Sequence, residues 1–404
     1  MRTKARPIFF VLVAAVVSMA FTSSARAGPR VYEDDEGRWV ELGFLIQLQY
    51  RLDKPEGSEA ENDLWARRLR PMIAAGFHDD WQGIVELGFG AGADGETYAV
   101  SLRWVSIQYV GVQSSRLSVG SFKNWFSREF NTSSSRLQII ERTFVGDNAF
   151  GNPGYTIGIA WDQVIADDRV FYAANIGAQN VGTDASQMAF RSPANGDSTD
   201  NRGWSAAARI DVYAVGGAVY SKEPYSYKLS PYDRSDLEDS RSWVVSFSLG
   251  GYAWWNQNNN DGLCPNPDPT SCVDLQNAFG AETSAGIRGR GLSADLEYQF
   301  IRGNAVDGAY TGGLYVDGTT NLHKATANAG FMVLPRHLEV YGGWSILTAS
   351  NYDVPWNRAI IGLSGFVQSY HIRFSADYTR EINRAGAGGA EDANVFRTQA
   401  QLSW

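Results

Sequence analysis

Cysteine and histidine are almost missing, at two and four in 404 residues, which excludes a disulfide scaffold and a histidine-rich metal centre. Long apolar runs are scarce too. Apart from Ile8 to Ala20, nothing approaches the roughly twenty apolar residues that a membrane-crossing helix needs. Positive charge is in deficit, with Lys+Arg 35 against Asp+Glu 44 and a net charge of −9. Nucleic-acid binding draws its affinity from basic side chains that neutralise phosphates, so that partner class is disfavoured. What the chain has in quantity is glycine (42), tryptophan (13), tyrosine (19) and phenylalanine (20). Disordered chains are poor in aromatics. Many turns with many aromatics suit a large all-β protein.

The first residues read as an address. Arg2, Lys4 and Arg6 precede the apolar stretch, and Ala25-Arg26-Ala27 has the small-residue pattern of a cleavage site. Residues 1–27 are therefore expected to be a signal peptide, 28–38 a short periplasmic tail and 39–404 one domain. Export leads to an oxidising compartment, where Cys264 and Cys272 are expected to form a local disulfide that clamps a loop.

From Trp39 onward the pattern has period two, and on a strand successive side chains take opposite faces. Val40, Leu42, Phe44, Ile46, Leu48 and Tyr50 share one face; Glu41, Gly43, Leu45, Gln47, Gln49 and Arg51 share the other. Leu292, Ala294, Leu296, Tyr298 and Phe300 oppose Ser293, Asp295, Glu297 and Gln299 in the same way. The segments run to about ten residues, with aromatics near their ends, as in barrels whose apolar face meets lipid and whose polar face meets a water-filled lumen. In lipid every backbone polar group must be paired within the protein, so such a sheet must close.

Sixteen segments are expected: 39–51, 64–77, 81–91, 99–110, 115–122, 154–163, 168–177, 203–215, 242–255, 278–288, 291–302, 324–334, 337–347, 358–367, 370–381 and 394–404. Counted from a periplasmic N-terminus, the outer connections are long and the inner ones mostly short, as in outer-membrane barrels. The exception is 216–241, which is long where a turn belongs; a hidden hairpin there would give eighteen strands. Pro71 lies inside the second segment although proline cannot donate to a ladder. The third outer connection, 123–153, is the longest. Its mixture of Lys123, Arg128, Arg136 and Arg142 with Glu129, Glu141 and Asp147 suits a loop folded into the lumen.

One block resembles a known family. Leu117-Ser118-Val119-Gly120-Ser121-Phe122-Lys123-Asn124-Trp125-Phe126-Ser127, followed by Ile140-Glu141-Arg142, is similar to the signature of the phosphate-selective porin O and P family, where such a strand leads into an inward loop. Arg288 to Ser293, Glu297 to Phe300, Ala329 to Glu339 and Leu363 to Tyr378 also resemble that family, and Arg67-Arg68 stands where it carries an arginine pair. The sequence departs from the pattern at Trp125, where proline is usual, and at the terminal Trp404, where phenylalanine is common. The resemblance implies a homotrimeric outer-membrane porin of sixteen strands with its third loop inside.

On this reading the chain is no enzyme, needs no cofactor, and passes small hydrophilic solutes, anions such as phosphate first among them. Arg67, Arg68, Arg70, Arg103, Lys123, Arg128, Arg136, Arg142, Arg209, Arg288 and Arg373 are expected to line the pore. Glu41, Glu86, Asp162, Asp211, Asp295 and Glu297 share the inward face and oppose them. That mixed face leaves a weakly selective general porin as the alternative. A filled-lumen interaction barrel and a hydrolase built on His371, Ser375 and Asp377 are further alternatives.

Overall fold

The structure is a computed structural model and describes residues 29–91, 98–184, 187–191, 201–217, 235–237, 242–256, 275–305, 318–384 and 391–404. The expected signal peptide and the Cys264–Cys272 pair lie outside the described residues. The strands are β1 (Arg30–Glu33), β2 (Trp39–Pro55), β3 (Glu61–Phe77), β4 (Trp81–Ala91), β5 (Tyr98–Tyr109), β6 (Ser115–Lys123), β7 (Tyr155–Ile165), β8 (Val170–Asp184) and β9 (Gln187–Arg191). They continue as β10 (Asn201–Val215), β11 (Val244–Trp255), β12 (Leu275–Gly289), β13 (Leu292–Ala305), β14 (Gly318–Leu334), β15 (Leu338–Ala349), β16 (Trp356–Gln368), β17 (Ile372–Arg384) and β18 (Glu391–Ser403).

Sixteen of them, all but the short β1 and β9, pair antiparallel with their neighbours, and β18 returns to β2 to close an all-β barrel. The closing seam runs from Ala393 opposite Pro55 to Ser403 opposite Leu45. It is finished by Trp404, whose N–H donates to Phe44 O (2.9 Å) and whose O accepts from Phe44 N (3.2 Å). The expected count of sixteen therefore stands, with β10 paired directly to β11. β1 pairs back onto the start of β2, and Asp34 holds the turn by accepting from the backbone N–H of Glu36 and Arg38.

Burial fixes which face is which. On β13, Asp295, Glu297 and Gln299 are 2% exposed or less, while Leu296 is 58% and Tyr298 42% exposed. A water-soluble sheet would bury the opposite set; here the apolar face is the outer wall. No helix among the described residues is long and apolar enough to cross a membrane. Crossing takes about ten strand residues, so the 17-residue β2, β3 and β14 reach well past the apolar band.

Both tensions in β3 resolve locally. Pro71 projects outward, and β3 and β4 are unpaired between Leu69–Phe89 and Met72–Glu86, so no ladder donor is required there. The arginine pair is accommodated by a bulge. Gln47 opposes Arg68 and Leu48 opposes Ala66, which leaves Arg67 as the extra residue. β5 has the same device, since Glu86 opposes Trp104 and Leu87 opposes Leu102, with Arg103 extra. A bulge lets two successive side chains share a face, so Arg67 joins Arg68, and Arg103 joins Trp104, on the inner wall.

Candidate functional site: the constriction

Residues 124–154, between β6 and β7, lie inside the barrel. Asn124 N–H donates to Gly154 O (2.9 Å) and ties the two ends of the loop together. Between them, Ser127 caps a one-turn helix, α1 (Arg128–Asn131), by accepting from Phe130 N–H (3.1 Å). The loop is laid against β10–β17. Its apolar side buries Phe126, Phe144 and Phe150 with Tyr252, Trp254, Leu275, Ile301, Leu322 and Leu347. Its polar side meets wall carboxylates: Arg128 N–H donates to Glu282 (2.9 Å) and Glu129 N–H to Glu297 (3.1 Å). These are the first amides of α1, which have no partner within the helix and favour negative charge. At the other end, Lys123 Nζ donates to Phe130 O (3.0 Å) and Asn131 O (3.3 Å), and Arg142 donates to Thr132 O (2.7 Å). Cations at carbonyl ends complete the same electrostatic pattern.

Farther along, Gln138 donates to Glu339 (2.7 Å) and Ser293 (2.8 Å), Arg373 to Leu137 O, and Lys324 to Phe150 O (3.0 Å). Some glycines of the inner face are seats for this loop. A Cβ on Gly286 would lie 2.3 Å from the Arg128 guanidinium, and one on Gly330 would lie 2.1 Å from Gln138 Nε2.

The free edge of the loop faces β2–β5. Arg67 Nε donates to Glu141 Oε1 (2.6 Å) and its Nη2 to Oε2 (3.1 Å), while Arg68 reaches Oε2 (3.3 Å) and Gln47 (2.7 Å). Arg70 donates to Ser134 Oγ (3.2 Å) across the gap. Glu86 takes Arg103 at 3.2 Å and Arg70 at 3.9 Å. Arg103 also donates to the Tyr155 hydroxyl (3.0 Å), with its guanidinium 5.0 Å from that ring. Burial pushes the Glu141 carboxyl up, but Arg67 and Arg68 beside it outweigh that and hold it below the ordinary carboxylate range. The loop and the two bulged strands thus gather Arg67, Arg68, Arg70, Arg103, Lys123 and Arg142 against Glu86 and Glu141, with Asp147 farther along the loop. Solvent still reaches part of Arg67 (37%), Arg103 (26%) and Glu141 (21%).

Several expected pore-lining residues are elsewhere. Arg128, Arg209, Arg288 and Arg373 are at most 5% exposed, as is Arg68, but unlike Arg68 they make their contacts away from Glu86 and Glu141. Arg128 and Arg288 pair with Asp295 (2.5 and 3.0 Å), and Arg209 pairs with Asp211 (2.8 Å) and Glu282 (2.7 Å). Their expected place at the pore surface is corrected. For Arg209, Arg288 and Arg373, alternation assigns a face but does not say that a loop covers that part of it; Arg128 belongs to the loop itself and points into the wall. Arg136 sits over the Tyr370 ring (5.8 Å), away from the cluster. Of the acids, Asp162 pairs with Arg116 (3.0 Å), a partner the sequence reading passed over, and Glu41 is buried at the start of β2. The His371, Ser375 and Asp377 row forms no catalytic set: His371 Nδ1 meets Ser403 O (2.8 Å), Ser375 bonds Ser364 (2.7 Å), and Asp377 meets Arg397 (3.5 Å).

Against known proteins, the family model described as phosphate-selective porin O and P matches residues 40–241. Among solved structures, the outer membrane channel DcaP of Acinetobacter baumannii is 11% identical at a TM-score of 0.56, covering 94% of this chain and 100% of that one. An anion-selective porin from Comamonas acidovorans is 10% identical at 0.56, covering 91% and 100%. OmpT of Vibrio cholerae in a trimer form is 12% identical at 0.53, covering 90% and 99%. No curated protein matches the sequence. At these identities the structural likeness is one of fold.

Proposed function

The chain belongs to the phosphate-selective porin O and P family, and from that membership we propose that it is an anion-preferring outer-membrane porin working as a homotrimer. It is a channel of outer-membrane type. The preference for small anions, phosphate among them, is the further step. One observation carries it: at the free edge of the loop six cations face Glu86 and Glu141. Of the other inward acids, Asp162, Asp211, Asp295 and Glu282 are occupied by arginines and Glu297 by an amide of α1, while Glu129, also close to Arg142, is tied to Thr143 N–H (3.0 Å). A pore selects an anion when fixed donors replace its water and a net positive field raises its local concentration. Arg67 and Arg103, bulged inward and partly open to solvent, are the groups assigned to meet the solute. Arg51, Arg384 and Arg397 face the lumen above them, held by Asp53 and Asp377. The trimer is supported by the trimer form of a similar structure, and the apolar wall suits membrane lipid.

The deciding experiment is the reversal potential of the purified protein in a planar bilayer under a KCl gradient. The expected sign is that of anion selectivity, and Arg67→Ala with Arg103→Ala should move it toward zero. A potential near zero for the unaltered protein would establish the weakly selective alternative. Cation selectivity would refute the assignment.

A further inference from the structure

At the short-turn end, the connection from Gly216 to Trp243 is far longer than the others. Three residues of that connection, Ser235, Asp236 and Leu237, are buried at 3%, 5% and 5% exposure. They make contacts well beyond β10 and β11. Ser235 Oγ donates to Glu339 Oε2 (2.7 Å), and the Tyr370 hydroxyl accepts from Ser235 N–H (3.3 Å) and donates to Ser235 O (3.2 Å). Gly291 N–H donates to Asp236 (2.7 Å), and Leu237 packs with Met332, Phe366 and Tyr370. Those groups sit on the β12–β13 turn, on β14 and β15, and at the β16–β17 turn. From the β10–β11 connection to the β16–β17 turn is six strands around a ring of sixteen. Met332, Glu339 and Phe366 are buried on the inward face, so residues 235–237 lie inside the rim.

The seat is also shared with the constriction loop. Glu339 accepts Ser235 on Oε2 and Gln138 of the loop on Oε1 (2.7 Å each). Tyr370, which grips Ser235, lies under Arg136 of the loop, and Gln401 donates both to Tyr370 O (2.5 Å) and to Ser135 O (3.0 Å). One carboxylate and one phenol therefore hold two chain segments together that lie about a hundred residues apart.

We propose that residues 235–237 form a second constriction at the periplasmic exit, and that Glu339 is the positioning residue that locks it to the loop above. This rests on the channel reading, because it supposes current through the lumen. The exit element then sets part of the resistance of the pore. Freeing it should also loosen the 135–138 edge of the constriction loop, since both lose a shared anchor.

The test uses the full protein in planar bilayers, with Leu237→Asp to expel the leucine from its apolar seat, Leu237→Ala as a milder form and Glu339→Gln to disturb the shared anchor. Heat-modifiable gel mobility reports whether each barrel has folded. The expected results are a larger single-channel step for the folded Leu237 variants and increased open-channel noise for Glu339→Gln. Steps and noise equal to those of the unaltered protein in folded Leu237→Ala and Glu339→Gln would overturn the proposal while leaving the porin reading intact. Absence of current from the unaltered protein would remove both.

Discussion

Lys123 shows how one residue serves two ends. Its ammonium contributes charge to the constriction, yet its hydrogen bonds go to carbonyls at the end of α1. Bonds to a charged donor contribute about 1.5–3 kcal/mol, and buried acceptors left without one cost about 1–3 kcal/mol. Lys123→Met should therefore loosen the loop as well as weaken anion preference. Differential scanning calorimetry should find a lower melting temperature, and limited proteolysis should find new cuts within 124–154. Gly286 is the complementary case, a residue whose use is to be absent. A methyl there collides with the Arg128 guanidinium and with Asp295 Oδ1 (2.7 Å), and overpacking of this kind costs about 1–3 kcal/mol. Gly286→Ala is expected to give a folded barrel with a destabilised loop, seen as a lowered unfolding midpoint in urea; an unchanged midpoint would mean that Arg128 finds another berth.

At the scale of strands and loops, alternation alone recovered most of the architecture. The fourth segment end at 110 and the third segment at 81–91 fall within a residue of β5 and β4, because Trp81, Val85 and Leu87 opposite Gln82 and Glu86 leave one register that puts apolar groups in lipid. Alternation did not reveal the bulges, since a period-two reading makes no allowance for an extra residue. The signal was nevertheless present: adjacent arginines in a membrane strand cannot both face inward without one, and an outward arginine near the midplane costs about 2–4 kcal/mol. Nor did it reveal which inward residues lie beneath the loop. Arg209 and Arg288 carry the same composition signal as Arg67 and Arg103, and only the packing of 124–154 on β10–β13 separates them. The same lipid-face cost gives an element-scale prediction. Leu249, in the middle of β11 and 62% exposed on the outer wall, should destabilise the barrel by about 2–4 kcal/mol when changed to Arg, measured by denaturant unfolding from vesicles. A loss near zero would place β11 against protein or water instead of acyl chains.

Across the whole molecule, the charge that matters is local and not net. The chain is acidic at −9, yet its constriction gathers arginines, because the acids are distributed over turns, loops and buried pairs such as Arg116–Asp162 and Arg209–Glu282. Closure by the Phe44–Trp404 pair, whose rings lie 5.6 Å apart, and the anchoring of the loop to six or more strands hold these groups at fixed positions. A fixed cluster attracts ions by its field, and that field reaches about 10 Å in 0.1 M salt but about 3 Å at 1 M. If selectivity comes from the cluster, the anion-to-cation permeability ratio should fall as KCl is raised from 0.1 to 1 M at a constant gradient, and the Arg67→Ala, Arg103→Ala double variant should start low and change little. A ratio that stays constant with salt in the unaltered protein would point to size and direct hydrogen bonding as the source of selection. The long-range charge argument would then have to be abandoned even with the barrel and the loop as described.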